Sequence, residues 1–153
     1  LNELNAVYRF SDEQGLQLVS GLGLDYWTRK LSETQSEDWS VVYARLGAAL
    51  GGRTTRGWSA AGGVKYPIYV EENAHFTDIG FDSNPRLHPV GAASLYAYLG
   101  YRFSSHWTLS GYYDSYRFKE SFKASTTMGG TSFLVWQPTS SVNTVGLRLH
   151  HHF

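Results

Sequence analysis

The sequence contains no cysteine, and only 17% of its 153 residues are charged, with a net charge of zero. The missing cysteines exclude disulfide bonds, thiolate metal sites and cysteine nucleophiles. Because no cluster of Lys or Arg forms a basic stripe, nucleic acid is not predicted as a partner. No run of about 18 apolar residues occurs either, which excludes a membrane-spanning helix.

Catalytic signatures are also missing. The chain contains no GxSxG nucleophile elbow and no HExxH metal motif. The run GLGLD at 21–25 lacks the spacing of a dinucleotide-binding GxGxxG and lies within a predicted strand. No cofactor is therefore predicted, and the protein is expected to be non-enzymatic.

Aromatic residues, by contrast, make up 16% of the chain, which also contains 16 glycines. Disordered chains are poor in aromatics, so this composition predicts a folded protein. The length fits a single domain over residues 1–153. Abundant aromatics and glycines together are typical of strands joined by tight turns.

Apolar and polar residues alternate along most of the chain, which is the signature of β-strands. In ASLYAYLGYRF at 93–103, Leu95 and Leu99 share one face, while Tyr96 and Arg102 lie on the other. The same alternation predicts seven antiparallel strands, at about 3–10, 16–29, 42–50, 58–71, 93–103, 107–114 and 144–150.

Charged residues avoid the apolar face through the middle of all seven segments. The exceptions lie at segment ends: Lys30, Glu72, Arg117 and Lys119. Two environments produce this pattern, a soluble sandwich or lipocalin-like barrel with an apolar interior and an outer-membrane barrel with an apolar exterior. Both have a period of two, so other features must decide between them.

The connections between the segments alternate in length. Short connections are predicted at 11–15, 52–56 and 104–106, and longer polar ones at about 31–38, 72–89 and 123–140. Outer-membrane barrels have short periplasmic turns and long extracellular loops, whereas soluble barrels follow no such rule. The alternation therefore favours a transmembrane barrel.

Aromatic residues gather beside the short connections and predict a periplasmic girdle at the membrane boundary. The girdle residues are Tyr8, Phe10, Trp58, Tyr101, Phe103 and Trp107. The segments are long enough to span a bilayer, since a tilted strand needs roughly 9 to 11 residues. Glycines on the opposite face would make room for bulky neighbours in a narrow lumen. These are Gly21, Gly23, Gly47, Gly63, Gly100 and Gly146.

The last segment, TVGLRLHHHF, ends in Phe153 with Leu149 and Leu147 at alternate positions before it. It resembles the C-terminal β-signal of bacterial outer-membrane β-barrel proteins, and Thr144 and Gly146 match the polar and glycine positions of that signal. His151 departs from the pattern, which usually has a larger apolar residue there. The resemblance implies an integral protein of the outer membrane whose last strand is recognised by the barrel assembly machinery.

The same resemblance implies that the last strand ends on the periplasmic side. Counting back through seven strands, the first would begin outside the cell, whereas bacterial barrels have even strand numbers. At least one strand is therefore expected before Leu1. Eight strands is the simplest completion of this up-and-down barrel, and ten or twelve also satisfy the rule.

Charges of both signs share the predicted lumen face and favour a narrow, charge-paired lumen over a pore lined by one sign. The central network is Asp25, Arg45, Lys65, Asp114 and Arg148. Pairs of Arg45 or Arg148 with Asp114 are expected. A structural role, or an interaction role through extracellular loops, follows from a plugged lumen; a small-solute porin is the alternative.

Two outer-membrane enzyme families are weaker hypotheses. Omptin-like proteases use paired aspartates and an Asp–His pair, for which Asp25, Asp114, His75 and His88 are candidates. Lipid A deacylases use a Ser and a His on the lipid-facing wall. Ser20 and Ser115 have that parity, but no histidine lies near either in the sequence.

The expected partners are the lipid bilayer, lipopolysaccharide and the barrel assembly machinery, with a protein partner possible at the loops. Among the three consecutive histidines, His150 and His152 share the inward parity, while His151 has the outward one. The three cannot converge on one ion, so no metal site is predicted. A two-ligand site on His150 and His152 is a remote alternative.

Overall fold

The computed structural model describes residues 2–10, 15–51 and 56–151. These residues form eleven strands and one short 3₁₀ helix, Phe76–Ile79, with no α-helix among them. No helix in this part of the chain is long and apolar enough to cross a membrane. The strands are β1 (Asn2–Arg9), β2 (Gln17–Lys30), β3 (Ser36–Gly51), β4 (Gly57–Asn73), β5 (Arg86–Leu87), β6 (Pro89–Ala92), β7 (Ser94–Arg102), β8 (Trp107–Ser121), β9 (Ala124–Met128), β10 (Thr131–Val135) and β11 (Ser140–His151).

Seven long strands form one antiparallel sheet in the order β1-β2-β3-β4-β7-β8-β11. The predicted all-β antiparallel fold is therefore confirmed. The short strands within the long connections were not predicted. Strands β5 and β6 pair with β4 and β8, and β9 and β10 form a separate hairpin. This hairpin lies within the long polar connection predicted at 123–140.

The sheet is strongly curved. Strands β3, β4 and β7 separate β2 from β8 in the sheet order, yet the rings of Trp27 on β2 and Tyr116 on β8 are 5.3 Å apart. Among the described residues β1 and β11 do not pair with each other, so each has a free hydrogen-bonding edge. The seven strands therefore wrap around a concave interior without closing it.

The two ends of the sheet differ in their connections. At one end, here called the turn end, short connections join β1 to β2, β3 to β4 and β7 to β8. At the other, the loop end, long connections join β4 to β7 and β8 to β11. The connection from β2 to β3 spans only 31–35, because β3 begins at Ser36. The long loop predicted at 31–38 is therefore wrong.

A bulge in β4 corrects one predicted strand face. The pairing register of β3 and β4 shifts between Val42 and Tyr43, opposite Ile68. Pro67 has no N–H to give to the ladder, and such a residue is tolerated at a bulge. Unbroken alternation over the predicted strand at 58–71 assigns Val70 to the apolar outer face and Glu71 to the inner one. The extra residue reverses the parity of the rest of the strand, so Val70 faces the interior and Glu71 the exterior.

Candidate functional site

The convex face of the sheet carries large apolar side chains on every long strand. On β3, for example, Leu46 is 62% exposed. Single exposed apolar residues are normal, but a continuous apolar surface of this extent marks a surface that meets a partner or a membrane. We call this surface the apolar belt. Its members include Leu4, Leu18, Leu22, Leu24, Leu46, Leu50, Val64, Ile68, Leu95, Leu99, Leu109, Val145, Leu147 and Leu149.

Aromatic side chains border the belt at the turn end. All six residues of the predicted girdle are exposed there: Tyr8, Phe10, Trp58, Tyr101, Phe103 and Trp107. The rings of Trp58 and Tyr101 are 4.9 Å apart, and those of Tyr8 and Phe10 are 5.2 Å apart. Adjacent exposed rings of this kind are what a membrane boundary accommodates.

Exposed tyrosines and then polar side chains border the belt at the loop end. Tyr26, Tyr66 and Tyr69 are exposed at this border. Five strands extend past this border toward the loop end, and their outward-facing residues there are polar. These residues are Thr28 and Lys30, Ser40 and Asp38, Glu71 and Asn73, Arg117 and Lys119, and Asn143 and Ser141. On β3 the belt covers residues 42–50, close to the roughly 9 to 11 residues of a tilted membrane-spanning strand.

The concave face holds the ionic groups within the height of the belt. The side chain of Lys65, only 4% exposed, lies 2.7 Å from Asp114 and 3.7 Å from the centre of the Tyr116 ring. The hydroxyl of Tyr116 also donates to Asp25. One charged cluster thus links β2, β4 and β8 across the interior.

The remaining network residues have partners that differ from those expected. Arg45 pairs with Glu3 at 2.6 Å rather than with Asp114. The guanidinium of Arg148 lies 4.3 Å from the centre of the Tyr112 ring and makes no ion pair among the described residues. The predicted pairs of Arg45 or Arg148 with Asp114 are therefore wrong, because Lys65 is the residue that pairs with that carboxylate.

Glycines on the concave face leave room for these tyrosines. A side chain at Gly47 would overlap the hydroxyl of Tyr96, and one at Gly146 would overlap the ring of Tyr112. Gly146 and Tyr112 are direct partners in the β11–β8 register. The rings can therefore lie flat on the sheet, which positions Tyr112 beneath Arg148.

An aromatic core fills the interior toward the loop end. It consists of Trp39, Val41, Tyr43, Val70, Tyr116 and Phe118, with Trp27 and Val142 packed against it. The rings of Trp27 and Trp39 stack at 5.7 Å. Nearer the turn end, a cavity of about 460 Å³ remains, lined by residues that include Glu3, Arg45, Tyr96, Tyr112 and Arg148.

Two buried carboxylates on the loop-end side of this core were not predicted from the sequence. Arg29 pairs with Glu37 at 2.5 Å. Glu72 is fully buried. When the side-chain amide of Gln137 is oriented with its nitrogen toward Glu72, that nitrogen donates to the carboxyl group at 3.1 Å. Extending the alternation of β3 backwards would have found Glu37. No sequence signal reveals Glu72, because it becomes inward only through the bulge.

The pKa of Glu72 is raised to about 8, mainly because the carboxyl group is buried. The nearby carboxylate of Glu37 raises this pKa further, whereas Arg29 lowers it. Glu72 lies beyond the belt, toward the loop end. Its ordinary pKa is 4.5, so between these values the folded protein holds a proton that the unfolded chain has lost. Stability must therefore fall as pH rises through this interval.

We expect Glu72→Gln to remove most of this pH dependence. Between about pH 5 and pH 9, the wild-type free energy of unfolding should fall by on the order of 3 kcal/mol more than that of the variant. Chemical denaturation across this range measures the difference. Glu71→Gln, on the outer surface, is the matched control and should keep the wild-type slope; an unchanged slope in Glu72→Gln would contradict the assignment.

The residues considered for catalysis do not assemble into one site. Asp25 and Asp114 are held by Tyr116 and Lys65, and His88 hydrogen-bonds the carbonyl of Val70. Ser20 lies on the outer face, and Ser115 is buried, where it donates to the carbonyl of Leu95.

One Asp–His pair does form, at the loop end. His75 lies 2.9 Å from Asp38, whose other oxygen accepts from Thr28 at 2.6 Å. The hydrogen bonds from Thr28 and then His75 lower the pKa of Asp38. No serine or cysteine nucleophile contacts this pair within the described residues. Nor does that part of the chain bring three potential metal-ligating side chains together.

The proposed β-signal lies on the edge strand β11. Leu147 and Leu149 are exposed on the convex face, while Thr144 and Gly146 face the interior. The ring of His151 lies 4.6 Å from that of Trp107, tilted by 60°. Phe153 and His152 lie outside the described residues, so the terminal position of the signal stays a prediction.

No protein-family model matches this sequence, and no curated protein matches it significantly.

Proposed function

We propose that this protein is an integral β-barrel of a Gram-negative-type outer membrane, with a plugged lumen and a structural or interaction role through its loops. The observation that carries the proposal is the inverted arrangement of the sheet. Apolar side chains cover the convex face, while Lys65, Asp114, Arg45 and Glu3 pair on the concave face. A soluble barrel would have the opposite arrangement.

The strand directions indicate which further strand a closed barrel needs. β1 and β11 both run from the loop end to the turn end, so direct pairing between them would be parallel. One further strand running the other way would pair antiparallel with both and give an even count of eight. The two edges also expose apolar side chains strongly, with Leu4 at 78% and Leu147 at 79%.

The aromatic core favours a plugged barrel over a porin. Trp27, Trp39 and Tyr116 meet across the interior, and Gln137 lies above them in a buried loop position. The cavity below them is the observation that favours the alternative, a small-solute channel. We expect no steady single-channel conductance in planar bilayers; well-defined openings of uniform size would favour the porin.

Exposed apolar side chains on the loops support an interaction role. Phe122, Leu134 and Trp136 are exposed near the loop end, and Lys123 lies 5.1 Å from the centre of the Trp136 ring. Exposed aromatic side chains are enriched in protein-binding surfaces.

Heat modifiability of the protein tests the barrel. We expect the protein, extracted from the outer-membrane fraction in mild detergent, to migrate differently on gels before and after boiling, because a closed barrel resists detergent unfolding. Identical migration of the two samples, or recovery only from the soluble fraction, would contradict the proposal.

A further inference from the structure

Two cations lie together on the outer surface of β8, just beyond the apolar belt. Arg117 and Lys119 have the same strand parity and are both exposed. Neither makes an ion pair among the described residues. The adjacent Glu120 is also exposed but has the opposite strand parity, and the outward carboxylates of β3 and β4 are engaged, Asp38 with His75 and Glu71 with Arg86.

The position of this cation pair relative to the belt is defined by Tyr113. That tyrosine is the last outward aromatic on β8, and its hydroxyl donates to Asn143 at 2.8 Å. Arg117 follows four residues later, roughly 13 Å along a tilted strand. A long side chain at that height reaches back to the layer where lipid headgroups meet the hydrocarbon.

The cross-strand neighbours of the pair leave it accessible. Arg117 lies opposite Ser141 of β11 and Ala92 of β6, and Lys119 lies opposite Val90. These are small side chains, and the hydroxyl of Ser141 can donate a third hydrogen bond. A guanidinium, an ammonium and a hydroxyl on one face are donors suited to a phosphate group.

We propose that Arg117 and Lys119 form a binding site for the phosphorylated headgroup of an outer-leaflet glycolipid. This inference rests on the proposed membrane barrel, since only there does the site face the headgroup layer. Charge complementarity selects an anionic headgroup, and the adjoining apolar belt selects a lipid over a soluble anion.

The experiment measures the temperature at which the heat-modifiable form unfolds in neutral detergent, as diphosphoryl lipid A is added. We expect the lipid to raise this temperature, and the same lipid without phosphates to have little effect. In Arg117→Gln/Lys119→Gln, the lipid concentration for half of the shift should rise about tenfold or more. Lys30→Gln, at a similar height on β2, is the matched control and should bind as wild type does.

The outcomes separate the two proposals. If no heat-modifiable form exists, the membrane barrel itself is wrong. If that form exists but the double variant binds lipid A as tightly as wild type, or Lys30→Gln weakens binding equally, only the site is wrong. An equal shift from the same concentration of inorganic phosphate would overturn the lipid as the ligand.

Discussion

Leu46→Arg is expected to destabilise the protein in a bilayer by about 2–4 kcal/mol, although Leu46 is 62% exposed. The side chain lies at the centre of the apolar belt, opposite Ser20 and Val64. In a membrane, an arginine there must leave water for hydrocarbon. In a soluble protein, the same exposed substitution would change the stability by less than about 0.5 kcal/mol.

Ser40→Arg is the matched control. Ser40 lies on the same face of the same strand, six residues nearer the loop end and beyond the belt, opposite Glu71. We expect it to leave the free energy of unfolding in phospholipid vesicles nearly unchanged. Equal effects of the two substitutions would indicate that the convex face has no hydrocarbon layer against it.

Asp114→Asn is expected to cost roughly 3 kcal/mol, because it leaves the ammonium of Lys65 without its counter-charge. The cost arises at Lys65, whose side chain is 4% exposed, more than at Asp114, which is 34% exposed. Equilibrium unfolding in detergent micelles measures it. Lys65→Met in the Asp114→Asn background should recover most of the loss, since the buried charge is then absent.

Arg148→Gln provides the comparison for this second prediction. Its guanidinium stacks on Tyr112 and has no ion pair among the described residues, so its removal should cost about 1 kcal/mol or less. If Asp114→Asn costs no more than Arg148→Gln, Lys65 is solvated within the lumen and the narrow, charge-paired interior is wrong.

The parity of strand residues could be predicted from sequence because it depends only on a period of two. Alternation assigned Arg45 and Lys65 to one face and Leu46 and Val64 to the other, and these residues lie on the concave and convex faces respectively. Lys65 and Asp114 form their pair through the curvature of the sheet, which no local pattern encodes. Alternation therefore predicted the faces of these four residues but not the partner of Lys65.

The bulge at Ile68 is the point on β4 where strict alternation fails. Alternation placed Val70 outside and treated Glu72 as an exception on the apolar face. One inserted residue reverses both, and Glu72 becomes the fully buried acid above the core. Pro67 is the local signal that favours an irregular ladder there, but a proline alone does not specify how many residues are inserted.

The central claim, that the convex face lies against lipid, is tested most directly by site-directed spin labelling. The chain has no cysteine, so Leu46→Cys and Ser40→Cys each give one labelling site. In phospholipid vesicles, the label at position 46 should collide readily with oxygen and rarely with a water-soluble nickel complex, while position 40 should show the reverse. Free access of the nickel complex to position 46 would contradict the membrane barrel.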